Sequence, residues 1–232
     1  MKTFAAILLF LLAFCLASPA QTSVSEFWPQ INVQTQLPQQ FSLTGYTGLQ
    51  NSEASPYQQI FGGANVGYQW KRITKQHIQN SDSDKEHTLV FGGGYEFLHT
   101  LNSGKSTDEN RLMLQAMLFH RLGAPLLISD RNRVEFRWQN GGYSTRYRNM
   151  LSLGYDVLVH KFHFSPYGGA EFYYDGGKGS WNEEQYSGGI EWPFRRWFNV
   201  QTYYLRQHCT TCNPVNVNAA GLNLNFFLNQ SK

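Results

Sequence analysis

Charge is scarce in this 232-residue chain: 19 Lys and Arg stand against 16 Asp and Glu, 15% of the residues together, with a net charge of +3. So small and dispersed a surplus excludes a nucleic-acid partner, which needs a concentrated basic surface. Beyond residue 20 no stretch approaches the roughly 20 apolar residues of a membrane-crossing helix, so a membrane protein built on this chain has to be a barrel. No linker divides the chain and no amphipathic helical period competes with the pattern described below. What is abundant is aromatic: 36 Trp, Tyr and Phe with 21 Gly, in a chain whose mean hydropathy is nevertheless −0.43. Surface of that kind excludes a disordered chain.

The first twenty residues read as an address. Lys2 supplies a positive start, the run to Ala17 is apolar, and Ser18-Pro19-Ala20 offers the small residues that a signal peptidase reads before Gln21. A lipoprotein is disfavoured because Phe14 is too bulky before Cys15. Residues 1–20 are therefore expected to be a signal peptide. Residues 21–232 are expected to be one β-barrel domain, with 21–40 an N-terminal segment carrying an accessory strand and 41–229 the barrel.

Alternation carries that expectation. Arg131, Arg133, Glu135, Arg137 and Gln139 share one parity, and Val134, Phe136 and Trp138 the other. Successive strand side chains point to opposite faces, so the segment has one charged face and one apolar face. Residues 146–159 repeat this, with Arg146, Arg148 and Asp156 opposite Tyr147, Leu151, Leu153 and Tyr155. Further strands of the kind are expected near 41–49, 60–72, 88–98, 111–121, 162–174, 183–192, 197–207 and 216–228. Their length suits a tilted strand crossing a bilayer better than the five or six residues usual in a sandwich. The fold class expected is all-β, a closed antiparallel transmembrane barrel of 10–12 strands. Single-chain bacterial barrels have even counts, so ten spanning strands are preferred, with Trp28 to Leu37 accessory and twelve as the alternative. Short links near 123–125, 160–161 and 193–196, against longer polar ones at 50–58, 100–110, 175–182 and 208–214, would put the short turns on the periplasmic side. The polar stretch 75–86 fits that orientation poorly.

The residues Trp28-Pro29, Arg133-Val134-Glu135-Phe136-Arg137, Arg146-Tyr147-Arg148 and Ser165-Pro166-Tyr167 leading to Glu171-Phe172-Tyr173 resemble domain of unknown function 2490, a set of predicted bacterial outer-membrane barrels. The resemblance covers most of the chain after residue 20. It implies fold and compartment, the outer membrane of a Gram-negative bacterium, and no activity.

Chemistry has few places to sit. Arg131, Arg133, Glu135, Arg137, Arg146, Arg148, Asp156, Glu171 and Glu191 share the parity expected to line the lumen. They read either as a basic stripe that attracts anions or as a ladder of ion pairs filling a narrow interior, and the small size of a ten-strand barrel favours the ladder over a wide pore. His163 and Ser165, at i and i+2 on one strand, have the spacing of a base and nucleophile, as in a phospholipase or lipid A deacylase. Three features oppose that: their lumenal parity, their place beside the 160–161 turn, and Pro166 where the phospholipase pattern has Asn and Gly. Cys209 and Cys212 suit a structural disulfide in an oxidising compartment; no His follows the second Cys as haem attachment needs, and a metal with His208 is weakly supported. Gly92-Gly93-Gly94 lacks the Lys and helix of a phosphate loop and reads as a strand. Neither cofactor nor metal is called for, and an enzyme is the lesser expectation. The partners expected are the lipid bilayer, the outer-membrane barrel-assembly machinery and an unidentified small solute. A soluble periplasmic barrel holding an apolar ligand is the remaining alternative, and it requires the aromatic face to point inward.

Overall fold

A computed structural model describes residues 23–52, 57–70, 87–122, 125–160, 162–212 and 214–228. The expected signal peptide, the stretch 75–86 and the last four residues lie outside them. Strands fill almost everything described: β1 Ser23–Gln36, β2 Phe41–Ser52, β3 Gln58–Trp70, β4 His87–Asn102, β5 Lys105–Leu122, β6 Leu126–Gln139, β7 Gly142–Tyr155, β8 Val157–Val159, β9 Phe162–Asp175, β10 Ser180–Arg195, β11 Phe198–Cys209 and β12 Asn216–Leu228. The short β8 continues β7 along β9 in unchanged register, Gly154 opposite Tyr167 and then Val157 opposite Phe164. Only Asp156 interrupts, its N–H turning to the Pro125 carbonyl at 2.8 Å. The chain therefore forms eleven staves, each paired with its neighbour in sequence, and the ring closes where β12 meets β1.

That closure corrects two expectations. The count is odd, and Trp28 to Leu37 belongs to no accessory strand, because β1 pairs with β12 from Ser23–Asn216 to Thr35–Leu228 and with β2 on its other edge. In an odd up-and-down ring the first and last staves run the same way, so one pair must be parallel; β1–β12 is that pair, and every other pairing is antiparallel. Without β1, both β2 and β12 would leave an edge of unpaired amides.

The expected difference in link length holds only in part. At the end where 100–110 was expected to form a long link, β4 and β5 run on to a two-residue turn at Ser103-Gly104 (φ 51° and 78°), and Asn140-Gly141 (φ 49° and 81°) joins β6 to β7 in the same way. Two left-handed residues are what a tight hairpin between right-twisted strands requires. These turns are as short as the one at 196–197 on the opposite end, whereas the link between β9 and β10 keeps four residues, 176–179.

The faces divide as the alternation requires. Ile31, Ile60, Val66, Leu114, Leu151, Leu153 and Tyr204 are exposed on the outside, while Glu135, Glu109, Glu171 and Arg121 are buried inside. This is the reverse of a soluble barrel, whose apolar face packs a core. Where the alternative of an inward aromatic face around an apolar ligand expects apolar side chains, the interior carries these buried charges together with some aromatics. Large aromatics gather toward both ends of the outer wall, with Trp138 against Tyr143 at one and Trp197 stacked on Phe226 at the other. A polar island interrupts the outer wall: Asn149 donates to Asp130 at 2.8 Å and to Asn132 at 3.2 Å, with the Tyr147 hydroxyl also on Asn132. Inside, glycines admit bulky neighbours. A Cβ on Gly221 would strike the Tyr203 ring, and one on Gly189 would meet the Tyr167 hydroxyl and Tyr203.

The parallel seam is directly testable. In the double variant Ile31→Cys/Leu224→Cys, whose positions face each other across β1 and β12, a short-reach thiol cross-linker is expected to link the chain internally. A ring closed from β2 to β12 with β1 outside leaves the pair unlinked.

Candidate functional site

Four glutamates organise the interior, each on a different strand. On β6, Glu135 faces Arg146 directly and Arg148 diagonally, while Arg133 and Arg148 stand opposite each other. Like charges so placed repel unless a carboxylate lies between them. Glu135, fully buried, supplies one: Arg146 donates to it at 2.8 Å and Arg148 at 2.9 Å. Glu171 on β9 supplies the second, taking Arg131 at 2.8 Å and Arg148 at 2.9 and 2.8 Å. Glu109 on β5 takes Arg111 and Arg137, both at 2.5 Å. Glu96 on β4 takes Arg111 at 3.0 Å and the Tyr46 hydroxyl at 2.9 Å. Tyr173 completes the set, its ring under the guanidinium carbons of Arg146 and Arg148 at 5.1 and 4.6 Å and its hydroxyl 2.6 Å from Gln185.

The opposite wall is built from amides. Gln30 donates to Asn32 at 2.6 Å, Asn32 to Asn225 at 2.8 Å, Asn225 to Asn199 at 2.6 Å and Asn199 to Glu191 at 2.6 Å. This head-to-tail chain crosses the β1–β12 seam. Between the two walls lies a cavity of about 480 Å³, bordered by Arg131, Arg133, Arg148 and Glu171 on one side and by Gln30, Asn32, Gln201 and Asn223 on the other, with Trp28, Tyr46 and Tyr203 among its aromatics. Arg133 is held differently from its neighbours: Nε and one terminal nitrogen donate to Gln115 at 3.2 and 2.9 Å, and its nearest carboxylate, Glu135, is 3.9 Å away. Two further cavity residues keep a buried polar atom with no partner among the described residues, the Nε donor of Arg131 and the Oδ1 acceptor of Asn223.

A family model described as "Protein of unknown function (DUF2490)" matches residues 25–218. The chain belongs to this family. No curated protein matches it. The DUF2490 match starts in β1 and ends in β12, so the whole carboxylate ladder and most of the amide wall fall inside it.

Of the residues singled out in the sequence, Arg131, Arg133, Glu135, Arg137, Arg146, Arg148 and Glu171 meet in this DUF2490 ladder. Glu191 ends the amide chain, and Asp156 stands apart, receiving Arg121 through both terminal nitrogens at 3.1 Å and the Ser165 hydroxyl at 2.7 Å. Ser165 is thus bound to a carboxylate, and among the described residues no hydrogen bond joins it to His163. The base and nucleophile reading loses its geometry. Cys209 and Cys212 are joined in a disulfide. Glu183 lies beside both sulfurs, but bonded cysteines offer no thiolate to a metal. Sequence reasoning missed Glu96, Glu109, Arg111, Arg121 and Tyr173. Glu109 had been given to a link, although Glu109-x-Arg111-x-Met113-x-Gln115 keeps one parity through β5.

The ladder carries a stability prediction. Glu135→Gln leaves Arg146 and Arg148 short of a buried counter-charge and is expected to cost about 3–5 kcal/mol. Asp108→Asn, at the exposed His99 pair whose carboxylate is 61% exposed, is expected to cost about 0–1 kcal/mol. Urea unfolding followed by tryptophan fluorescence compares the two; equal losses would contradict a structural role for Glu135.

Proposed function

We propose that this DUF2490 barrel resides in the outer membrane of a Gram-negative bacterium, directed there by residues 1–20 and inserted by the barrel-assembly machinery, and that its lumen binds a small anionic, hydroxyl-rich solute. The membrane part of the reading is supported by the outward apolar face with aromatics toward both ends and by the inward charge, the arrangement of a barrel with lipid outside and water inside. The solute part rests on Arg133. Its guanidinium borders the cavity with the Gln115 amide oxygen for a partner and no carboxylate closer than 3.9 Å. A solute carboxylate or phosphate gains charge-assisted hydrogen bonds there without first breaking a close ion pair. The amides opposite offer donors and acceptors suited to hydroxyl groups, and the aromatics offer flat apolar surface for a sugar-like ring. The unpartnered Arg131 Nε and Asn223 Oδ1 are further groups that a polar guest satisfies. A cavity of about 480 Å³ falls in the ordinary range for one small molecule. With the ladder occupying part of the lumen, passage would be slow and selective, unlike that of a wide porin.

Two measurements test this. The membrane-extracted protein is expected to need detergent and to shift its gel migration on heating; a protein soluble without detergent would refute the membrane reading. In titration calorimetry the purified barrel is expected to bind gluconate better than glucose, and Arg133→Gln to weaken gluconate by tenfold or more, the worth of a charged hydrogen bond, while leaving glucose unchanged. Equal binding of gluconate by both proteins would remove Arg133 from the site.

A further inference from the structure

The outer wall holds a second concavity, of about 350 Å³, lined by Glu184 and Tyr186 on β10, Arg206 and His208 on β11, and Asn216 on β12. Register puts these side by side: Glu184 faces His208, which faces Asn216, and Tyr186 faces Arg206. All share the outward parity of exposed Tyr204. They lie toward the end of the wall where β9 passes into β10 and β11 ends. Away from that end the same outward faces continue through Ala220, Leu222 and the pair Val200–Leu224. Charge of both signs therefore sits above an apolar track.

The charges are not spent on each other. Among the described residues neither Arg206 nor Glu184 has an ion pair within 4.0 Å, and Glu184 accepts only a 3.3 Å bond from the Tyr186 hydroxyl. The imidazole of His208 is anchored through Nδ1 to Asn216 Oδ1 at 2.8 Å, which orients the ring and leaves Nε2 to meet a ligand. Tyr204 donates to Asn218 at 2.9 Å, so the tyrosines flanking the concavity hold their polar ends toward it. Tyrosines at such a height are characteristic of the boundary between acyl chains and headgroups.

We propose that this concavity binds the headgroup of an aminophospholipid, its phosphate on Arg206 and its primary ammonium on Glu184 and the Nε2 acceptor of His208, with an acyl chain along Ala220 and Leu222. The proposal rests on the membrane reading above. A purely anionic headgroup would leave Glu184 facing like charge, whereas a headgroup with phosphate and ammonium two carbons apart answers both signs. A free zwitterion has the same polar chemistry but nothing for the apolar track below.

Native mass spectrometry of the detergent-solubilised barrel, mixed with equal amounts of phosphatidylethanolamine and phosphatidylglycerol, tests this. The natural protein is expected to retain phosphatidylethanolamine at least fivefold over phosphatidylglycerol. Arg206→Gln is expected to lose both lipids, and Glu184→Gln to lose only the preference for phosphatidylethanolamine. Both substitutions lie on the outer face, and an unchanged heat-dependent gel shift shows that the variants fold. Equal retention of the two lipids by the natural protein, or an unaltered preference in Glu184→Gln, overturns the site. So does displacement of bound phosphatidylethanolamine by inorganic phosphate as readily as by a short-chain phosphatidylethanolamine, since that marks a free-phosphate site. A barrel that shifts on heating yet shows no preference defeats this proposal alone, whereas a protein soluble without detergent defeats the membrane reading first.

Discussion

Backbone hydrogen bonding around a closed ring is the constraint from which the other features follow. A strand exposes an N–H and a C=O at nearly every residue, and an open sheet edge leaves a row of them without partners. Ten up-and-down staves from β2 to β12 could close antiparallel among themselves, but β1 would then be stranded with fourteen residues and no sheet to join. Inserting β1 makes the ring odd and requires one parallel pair. Parallel pairing is slightly weaker per residue than antiparallel pairing. At this seam the inner side chains compensate, because the amide chain Gln30–Asn32–Asn225–Asn199 ties β1, β12 and β11 together across it. The Phe198–Phe226 contact, with ring centroids 5.0 Å apart, fastens β11 to β12 on the outer face.

The ring in turn dictates the electrostatics. Side chains from all eleven staves converge on one narrow interior, and every arginine there has to find a counter-charge or lose much of its solvation. The two-residue spacing keeps Arg131, Arg133, Glu135 and Arg137 on one face, but it also sets Arg133 against Arg148 on the neighbouring strand. Glu135 and Glu171 resolve that conflict only because β6 and β9, on either side of β7, each bring a carboxylate to Arg148. Had the register slipped by one residue, the charges would have turned outward and the leucines inward. The ladder thus selects the register as well as filling the space.

Alternation made the two faces legible, and the nine charged positions chosen from Arg131 to Glu191 rested on parity alone. Parity is local, and closure is not. Nothing in residues 28–37 distinguishes a full stave from an accessory strand until the edges of β2 and β12 are known, and the rule of even counts pointed the wrong way. The turns were legible but misread. Asn140-Gly141 carries the hairpin signature in two residues, whereas Ser103-Gly104 is embedded in a polar run, Asn102 to Asn110, that looks like a loop because its residues are hydrophilic. Those residues are hydrophilic because β4 and β5 extend past the apolar band; polarity there reports height on the wall, not absence of strand. Ser165 failed for a related reason, since its partner Asp156 sits in the break between β7 and β8, a feature without a composition signature.

The interior also explains how a cavity survives in so small a ring. Long cationic side chains free to rotate would fill the lumen, but here they are drawn back against their own wall. Arg146 and Arg148 lie over the Tyr173 ring while binding Glu135, and Arg137 is held across to Glu109 on the adjacent strand. The opposite wall uses shorter Asn and Gln side chains, bonded along the wall instead of across the lumen. Glycine deepens that side further, since Gly221 and Gly189 let Tyr203 and Tyr167 lie close to the backbone. Each wall satisfies most of its own polar groups, so neither needs to collapse onto the other. The space left between them is therefore a consequence of how the two walls are bonded, and Arg133, held by Gln115 and not by a close carboxylate, is the charged group on its border least committed to the wall.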